Sequence, residues 1–161
     1  MQIIQRSWLA LMATGFAGFL VGVDYSIVNA TLPRIQASLG LNVGLLQWLI
    51  TGFGITFSSS LVALGRLSDI VGRRKMLYVG LLGFALSSLL AGLSDSAYHL
   101  IIARFCQGVF AAAIFPSGMA IVANAFDGAS RARALGAYGS VVGVGLALGP
   151  MIGGFISAFF G

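Results

Sequence analysis

Two charged side chains lie inside long apolar stretches of this sequence, where an isolated charge is costly. Asp24 belongs to the first stretch and Arg104 to the fourth. Charges at such depth usually face a cavity or an oppositely charged partner, and they commonly mark sites that bind ions or protons. Gln107 lies three residues after Arg104, so on a helix it shares the same face and can exchange hydrogen bonds. These residue types therefore suggest binding of a proton or a cation at Asp24.

The depths of the two charges place them in the same layer, so they are natural partners if their helices are neighbours. At 1.5 Å per helical residue, Asp24 lies about 25 Å from the side on which its stretch begins. Arg104 lies about 22 Å from that same side of a core about 30 Å thick. Two alternatives stay open. Asp24 could simply end its helix, since Asn29 and Arg34 soon follow, and Arg104 could extend its side chain past His99 to the interface.

A second charged group occupies the connector between the second and third apolar stretches. Five of the thirteen charges of the chain fall within residues 65–75. Asp69, Arg73 and Arg74 could serve only as a topological anchor, which composition alone favours. Gly65 and Gly72 bracket the aspartate, which indicates a tight turn.

The fifth stretch carries a glycine repeat. Gly145, Gly149 and Gly153 recur every four residues, with Pro150 and Gly154 beside them. Glycines on one helix face let another helix approach at backbone distance, and a proline bends the helix. Plain helix packing and a gating or sealing role fit this periodicity about equally well.

The composition indicates an integral membrane protein. The chain is 58% hydrophobic and 8% charged, whereas soluble domains are about 25% charged. The net charge of +5 does not indicate nucleic-acid binding, because the basic residues sit in short connectors. The single cysteine, Cys106, allows no intrachain disulfide. No metal, organic cofactor or enzymatic activity is expected.

Five apolar stretches approach or exceed the length of about 20 residues that crosses a bilayer as a helix. We therefore predict an all-α integral membrane protein with one domain over 1–161 and spans at about 7–28, 45–64, 76–93, 99–125 and 134–160. With the N-terminus inside, seven Lys and Arg residues lie on the cytoplasmic side and one on the outside. This bias predicts a multi-pass protein of the cell membrane with a cytoplasmic N-terminus.

The whole chain resembles the N-terminal half of a major facilitator superfamily transporter, in particular the fourteen-helix drug:proton antiporters. Four signatures occur in the expected order and on the expected spans. They are Asp24-Tyr25-Ser26-Ile27-Val28-Asn29, Gly65-x-Leu67-x-Asp69-x-x-Gly72-Arg73-Arg74, Arg104-x-x-Gln107-Gly108 and Gly145-x-x-x-Gly149-Pro150-x-x-Gly153-Gly154.

The resemblance implies proton-coupled export of a small, lipophilic or cationic compound, with the proton gradient as the energy source. It also implies a role for each group of residues. Substrate or proton binding would involve Asp24, Arg104, Gln107 and Asn29. A cytoplasmic charge network would involve Asp69, Arg73, Arg74 and Asp127. Helix packing and an outer seal would involve Gly65, Gly72, Gly108, Gly145, Gly149, Pro150, Gly153 and Gly154.

Two departures from the family pattern limit these expectations. Ile70 stands where the connector signature usually has arginine, which weakens the charge network. A sixth span and the second half are missing from this sequence, so we expect a truncated product that is inactive alone.

Two other functions stay open as alternatives. The chain could be a non-transporting membrane partner that pairs with another half-transporter. It could also be an intramembrane serine protease using Ser117 and His99, which is disfavoured because no glycine precedes Ser117 by two residues.

Overall fold

The structure, a computed structural model, describes the backbone of residues 2–159 and the side chains from Gln5 onward. Within that range it contains helices and no strands. The five helices are α1 (Gln2–Leu39), α2 (Val43–Val71), α3 (Arg73–Gly92), α4 (Ala97–Ala125) and α5 (Gly128–Phe159). All five are long and apolar enough to cross a membrane. The predicted all-α bundle of five membrane-spanning helices is confirmed.

Apolar side chains cover the outside of this bundle as well as its interior. Val62, Leu82 and Phe155 are among many large hydrophobic residues that point away from the protein. An aqueous solvent would penalise this arrangement, whereas the hydrocarbon core of a bilayer accepts it. The outward hydrophobic surface therefore agrees with a multi-pass membrane protein.

Helix α4 lies at the centre of the bundle and packs against all four other helices, while α1 and α5 form the most extensive contact between two helices. Small side chains make the central position possible, because Ala111, Ala112 and Ala113 on α4 are almost completely buried. Gly80 on α3 faces the carbonyl oxygen of Phe110, so α3 also approaches α4 at backbone distance. This packing brings side chains of α1, α2 and α3 to one level of α4.

The helices contain most of the predicted spans and extend beyond several of them. Helix α1 continues through Pro33 to Leu39, so Asp24 lies well inside a helix and does not end it. Apolar patterning detects only the part of a helix that crosses hydrocarbon, and polar ends can continue the same helix. Residue 160, at the end of the last predicted span, lies outside the described residues.

The α2–α3 turn consists of Gly72 alone, at a φ of +109° that favours glycine. Its amide donates to the carbonyl of Ser68 and so ends α2. The tight turn expected between Gly65 and Gly72 is thus formed by Gly72. Gly65 instead lies within α2, where an added Cβ would be 3.5 Å from Pro116 of α4.

Candidate functional site

An ion pair between α1 and α4 forms the centre of the candidate site. Nη1 of Arg104 lies 2.7 Å from Oδ2 of Asp24. The Arg104 side chain is 2% exposed and the Asp24 side chain 19%. The sequence placed these charges at similar depths, and the structure brings them into direct contact.

Gln107 joins the pair through both ends of its amide. Its Oε1 accepts a hydrogen bond of 2.8 Å from Nη1 of Arg104, and its Nε2 donates one of 3.0 Å to Oδ1 of Asp24. Both carboxylate oxygens of Asp24 are therefore bound, one by a cation and the other by a neutral donor. The i, i+3 spacing on α4 makes this arrangement possible, as the sequence predicted.

Ser88 of α3 completes the group, and the sequence analysis missed it. Its hydroxyl donates to Oδ1 of Asp24 at 3.0 Å and accepts from Nε2 of Gln107 at 2.9 Å. A serine in an apolar helix commonly bonds to its own backbone, so its type gives little signal. We call Asp24, Ser88, Arg104 and Gln107 the polar cluster.

The buried guanidinium of Arg104 is also held by α2. Its Nε donates to the carbonyl oxygen of Leu49 at 3.3 Å. Its Cζ lies 4.6 Å from the centre of the Phe53 ring, a distance at which the ring face attracts a cation. Tyr25, next to Asp24 on α1, packs against the same ring. Residues of α1, α2 and α4 thus hold this one arginine.

Close contact between α2 and α4 explains why these partners are within reach. Gly108 of α4 faces the carbonyl of Phe53 and the hydroxyl of Thr56, so any side chain there would separate the helices. The Thr56 hydroxyl donates to the carbonyl oxygen of Phe105 at 2.9 Å, which adds a hydrogen bond between the two helices. Gly108 therefore has the packing position that the resemblance implied.

The polar cluster opens toward a cavity between α1 and α3. The cavity has a volume of about 370 Å³ and is lined mostly by apolar residues, with Asp24 and Ser88 among the lining residues. A small ligand or a proton donor can approach the carboxylate from this side. No group of three or more His, Cys, Asp or Glu side chains that could hold a metal ion occurs among the described residues.

Asn29 does not take part in the polar cluster. It is exposed, and its amide donates to the carbonyl oxygen of Tyr25 on its own helix at 3.4 Å. The spacing from Asp24 to Asn29 is five residues, which on an α-helix places the two side chains on different faces. Asn29 therefore does not contact the other three residues in this conformation, and its binding role stays a prediction.

The charged connector contains a second, more exposed ion pair. Arg73 binds Oδ1 of Asp69 through Nη2 at 2.9 Å and through Nε at 3.1 Å. Its Nη1 donates to the carbonyl oxygen of Ala120 at 3.2 Å, which ties the turn to α4. Asp69 and Arg73 are therefore linked, as expected.

The other two members of the expected charge network are placed differently. Asp127 pairs with Arg131 at 3.6 Å, and its side chain is 98% exposed. It forms no ion pair with Arg73 in this conformation, because the local i, i+4 partner is within reach on its own segment, and its role in the charge network stays a prediction. Arg74 is exposed and forms no ion pair among the described side chains.

The glycine repeat of α5 faces the backbone of α1. An added Cβ would lie 2.5 Å from the carbonyl oxygen of Phe19 at Gly145, and 2.8 Å from that of Val23 at Gly149. At Gly153 it would lie 2.9 Å from the Ile27 side chain. These three glycines therefore allow the close approach that the periodicity predicted.

Pro150 and Gly154, which lie beside this repeat, are exposed, whereas its three glycines are buried. Gly154 has open space where a Cβ would be, and Pro150 is exposed. In the five-helix bundle both residues are thus exposed and not buried against α1 as the three glycines are.

The residues of the protease alternative lie far apart. Ser117 is completely buried and shares a hydrogen bond of 2.9 Å with Ser68. His99 is exposed near the start of α4, eighteen residues and therefore about 27 Å from Ser117 along the helix. The two side chains cannot act together in this arrangement.

Comparisons with known proteins agree with this architecture. The family profile of the Major Facilitator Superfamily matches residues 14–161. The puromycin resistance protein pur8 of Streptomyces alboniger is 39% identical over 96% of this chain and 31% of its own length. The riboflavin transporter RibZ of Clostridioides difficile is 32% identical over 98% of this chain and 35% of its own length.

A third relative is the multidrug efflux pump LfrA of Mycolicibacterium smegmatis, 33% identical over 96% of this chain and 31% of its own length. The chain thus spans about a third of the length of these curated relatives. The profile match covers nearly all of the chain and agrees with its membrane-spanning helices. The chain therefore belongs to the Major Facilitator Superfamily.

Proposed function

We propose that this chain forms part of a proton-coupled exporter of small, lipophilic or cationic compounds, and that Asp24 is the group that binds the proton or the cation. The observation that carries the proposal is the contact between Asp24 and Arg104 inside two membrane-spanning helices. A carboxylate in that position is costly and is commonly retained for binding or proton transfer.

The hydrogen bonds of the polar cluster support a competition mechanism. In the ionised state, Asp24 is neutralised by Arg104 and receives further donors from Gln107 and Ser88. Protonation of Asp24 removes the charge that holds Arg104, and a cationic substrate near Asp24 competes with Arg104 for the same oxygens. Proton and substrate therefore exclude one another at this carboxylate, which is the requirement for antiport.

The names of the relatives support export of small organic molecules, since they include a resistance protein and a multidrug efflux pump. Alternating access in such folds uses two helical bundles that move about a site between them. Because the relatives are about three times as long as this chain, we propose that transport requires a second bundle. The five helices alone would then be inactive.

We also propose that the protein lies in the cell membrane with its N-terminus in the cytoplasm. The positive-inside bias supports this orientation. In the structure, Arg6 and the basic connector residues lie at one end of the bundle, where they line a common cavity. Arg34 lies near the end of α1, on the opposite side.

The test compares Asp24→Asn with Asp95→Asn, a matched loss of one carboxylate from the exposed α3–α4 connector. Cells deleted for their other efflux pumps would produce each variant together with the second bundle that transport is proposed to require, and export of ethidium would be followed by fluorescence. We expect Asp24→Asn to abolish export driven by the proton gradient and Asp95→Asn to leave it unchanged. Unchanged export in Asp24→Asn at equal protein level would contradict the proposal.

A second measurement tests the binding step without transport. The chain would be reconstituted in lipid vesicles, and the infrared absorption of ionised carboxylate groups recorded while tetraphenylphosphonium is added. We expect the cation to change a band that is missing in Asp24→Asn and present in Asp95→Asn. A response that persists in Asp24→Asn would show that another group binds the cation.

A further inference from the structure

A large cavity with an unusual lining lies at the end of the bundle where α1 begins, α2 ends and α3 begins. Its volume is about 1160 Å³. Five cationic side chains from three helices line it: Arg6 from α1, Arg66 from α2, and Arg73, Arg74 and Lys75 from α3. We call this the basic cavity.

Four of these five cations, all except Arg73, have no acidic partner among the described side chains, because the ion pairs of the described residues use Arg73, Arg104 and Arg131. The five cations outnumber the two aspartates that line the cavity. Of these, Asp69 is bound by Arg73, and Asp127 lies 3.6 Å from Arg131. An excess of positive charge is therefore left to be balanced by something outside these helices.

The start of α3 adds to the same field. Its first turn lines the cavity, and its N-cap residue Gly72 has no side chain to accept a hydrogen bond from the free amides there. Such amides carry partial positive charge and favour an anion. The helix end alone would not define a site, but it strengthens the attraction of the converging cations.

The surroundings of the basic cavity favour an amphipathic anion over a soluble one. Val71 lines the cavity and is 46% exposed, and the adjacent Ile70 is 71% exposed. Trp8 is 54% exposed on α1, two residues after Arg6. Tryptophan is enriched at the level of lipid headgroups, so the cavity lies near that level. Apolar side chains beside the site would not contribute to binding a soluble anion, whereas they can pack against the acyl chains of a lipid.

We propose that the basic cavity binds the phosphate headgroup of an anionic phospholipid, whose acyl chains extend past Ile70 and Val71. Basic pockets between membrane helices on the cytoplasmic side have this chemistry. The leaflet is the cytoplasmic one if the orientation proposed above is correct. Lipid binding itself goes beyond the proposed export function and does not depend on it.

The experiment measures lipid binding to the purified chain in mild detergent by native mass spectrometry. Phosphatidylglycerol is the anionic probe, phosphatidylethanolamine the zwitterionic one, and inorganic phosphate the soluble one. The test variant Arg66→Gln/Arg74→Gln removes two cations of the basic cavity. The control Arg34→Gln/Arg133→Gln removes two exposed cations outside it.

We expect phosphatidylglycerol to bind more tightly than phosphatidylethanolamine. The test variant should bind phosphatidylglycerol about thirtyfold more weakly. Each basic residue near a headgroup contributes about 1 kcal/mol to binding, and the loss of two such residues converts to this factor. The control should stay within about twofold of the wild type. The charge-preserving variant Arg66→Lys/Arg74→Lys should retain most of the binding, which separates lost charge from misfolding.

Several results would overturn the proposal. Equal loss in the test and control variants would mean that binding follows net charge and not the cavity. Displacement of phosphatidylglycerol by inorganic phosphate at matched concentration would identify a soluble-anion site. A photoreactive residue at Asn124, which lines the cavity, should form adducts with phospholipid in cell membranes. Adducts with a protein segment instead would identify a different occupant.

Discussion

Replacing Arg104 with leucine should strongly destabilise the bundle, because it leaves a carboxylate without its counter-ion. The guanidinium is almost completely buried and contacts Asp24 at 2.7 Å. In Arg104→Leu the ionised Asp24 would keep only the neutral donors Gln107 and Ser88. Removing one partner of a buried ion pair costs about 3–5 kcal/mol of unfolding free energy. We take the lower end, about 3 kcal/mol, because Asp24 is partly exposed.

The double variant Asp24→Asn/Arg104→Leu removes both charges and should recover at least about 2 kcal/mol of that loss. A matched control is Arg133→Leu, since Arg133 is exposed on α5 and should change stability by no more than about 0.5 kcal/mol. The free energy of unfolding would be measured in mixed micelles titrated with sodium dodecyl sulfate. Fluorescence of Trp48 reports on the site, because this ring stacks on Phe105 at 6.1 Å.

The reasoning would be refuted in either of two ways. Arg104→Leu could lose less than about 1 kcal/mol, which would mean that the ion pair does not persist in the membrane-like environment. The losses of the single variants Asp24→Asn and Arg104→Leu could also add up in the double variant within about 0.5 kcal/mol, which would mean that the two charges are not coupled.

Three smaller changes test other contacts by the same unfolding measurement. Ser88→Ala should cost about 1–2 kcal/mol because two hydrogen bonds of the polar cluster are lost; Ser87→Ala, whose hydroxyl bonds only to its own helix, should cost less than about 0.5 kcal/mol. Gly149→Ala should cost about 1–3 kcal/mol by forcing α1 away, whereas Gly154→Ala should cost nothing, and equal losses would contradict the packing argument. Tyr138→Phe should stabilise the bundle by about 1 kcal/mol, because the buried phenol oxygen has no hydrogen-bond partner among the described residues; a loss of stability would indicate an unseen partner.

Much of the polar cluster could be predicted from the sequence because the depth of a residue and the helix face on which it lies both follow from its position along the chain. The depth of a residue in a membrane follows from its position along an apolar stretch, so the equal levels of Asp24 and Arg104 could be counted. Gln107 followed from helical periodicity on the same helix. Which helices are neighbours is not encoded in such counts, so the pairing was conditional on α1 and α4 lying side by side.

Ser88 was not predicted because its contribution depends on the position of α3 against α4. That position is set by Gly80 and Gly83, which face Ala113 and Phe110, and glycines of this kind are common throughout the chain. Serine is also frequent in apolar helices, where its hydroxyl can bond to the preceding turn. Only the three-dimensional packing separates Ser88 from Ser87, which does bond in that way.

Asn29 and Asp127, which do not contact their expected partners, were assigned from the family resemblance and not from geometry. Each has a partner within reach on its own segment: the carbonyl of Tyr25 for Asn29 and the side chain of Arg131 for Asp127. A motif records which residues recur together, but it does not state which of them are in contact in one conformation. At exposed positions such as these two, a partner on the same segment therefore determines where the side chain binds.

The direct contact between α1 and α5 has a mechanical consequence. Side chains between two helices act as flexible spacers that can change rotamer when one helix shifts, and this pair lacks such spacers where Gly145 and Gly149 meet the α1 backbone. We therefore expect α1 and α5 to tilt as a single lever, carrying Asp24 with them. The movement that separates the residues of the polar cluster must then occur between α1 and its other neighbours. The contacts there are hydrogen bonds that can be exchanged, and not direct contacts between main chains.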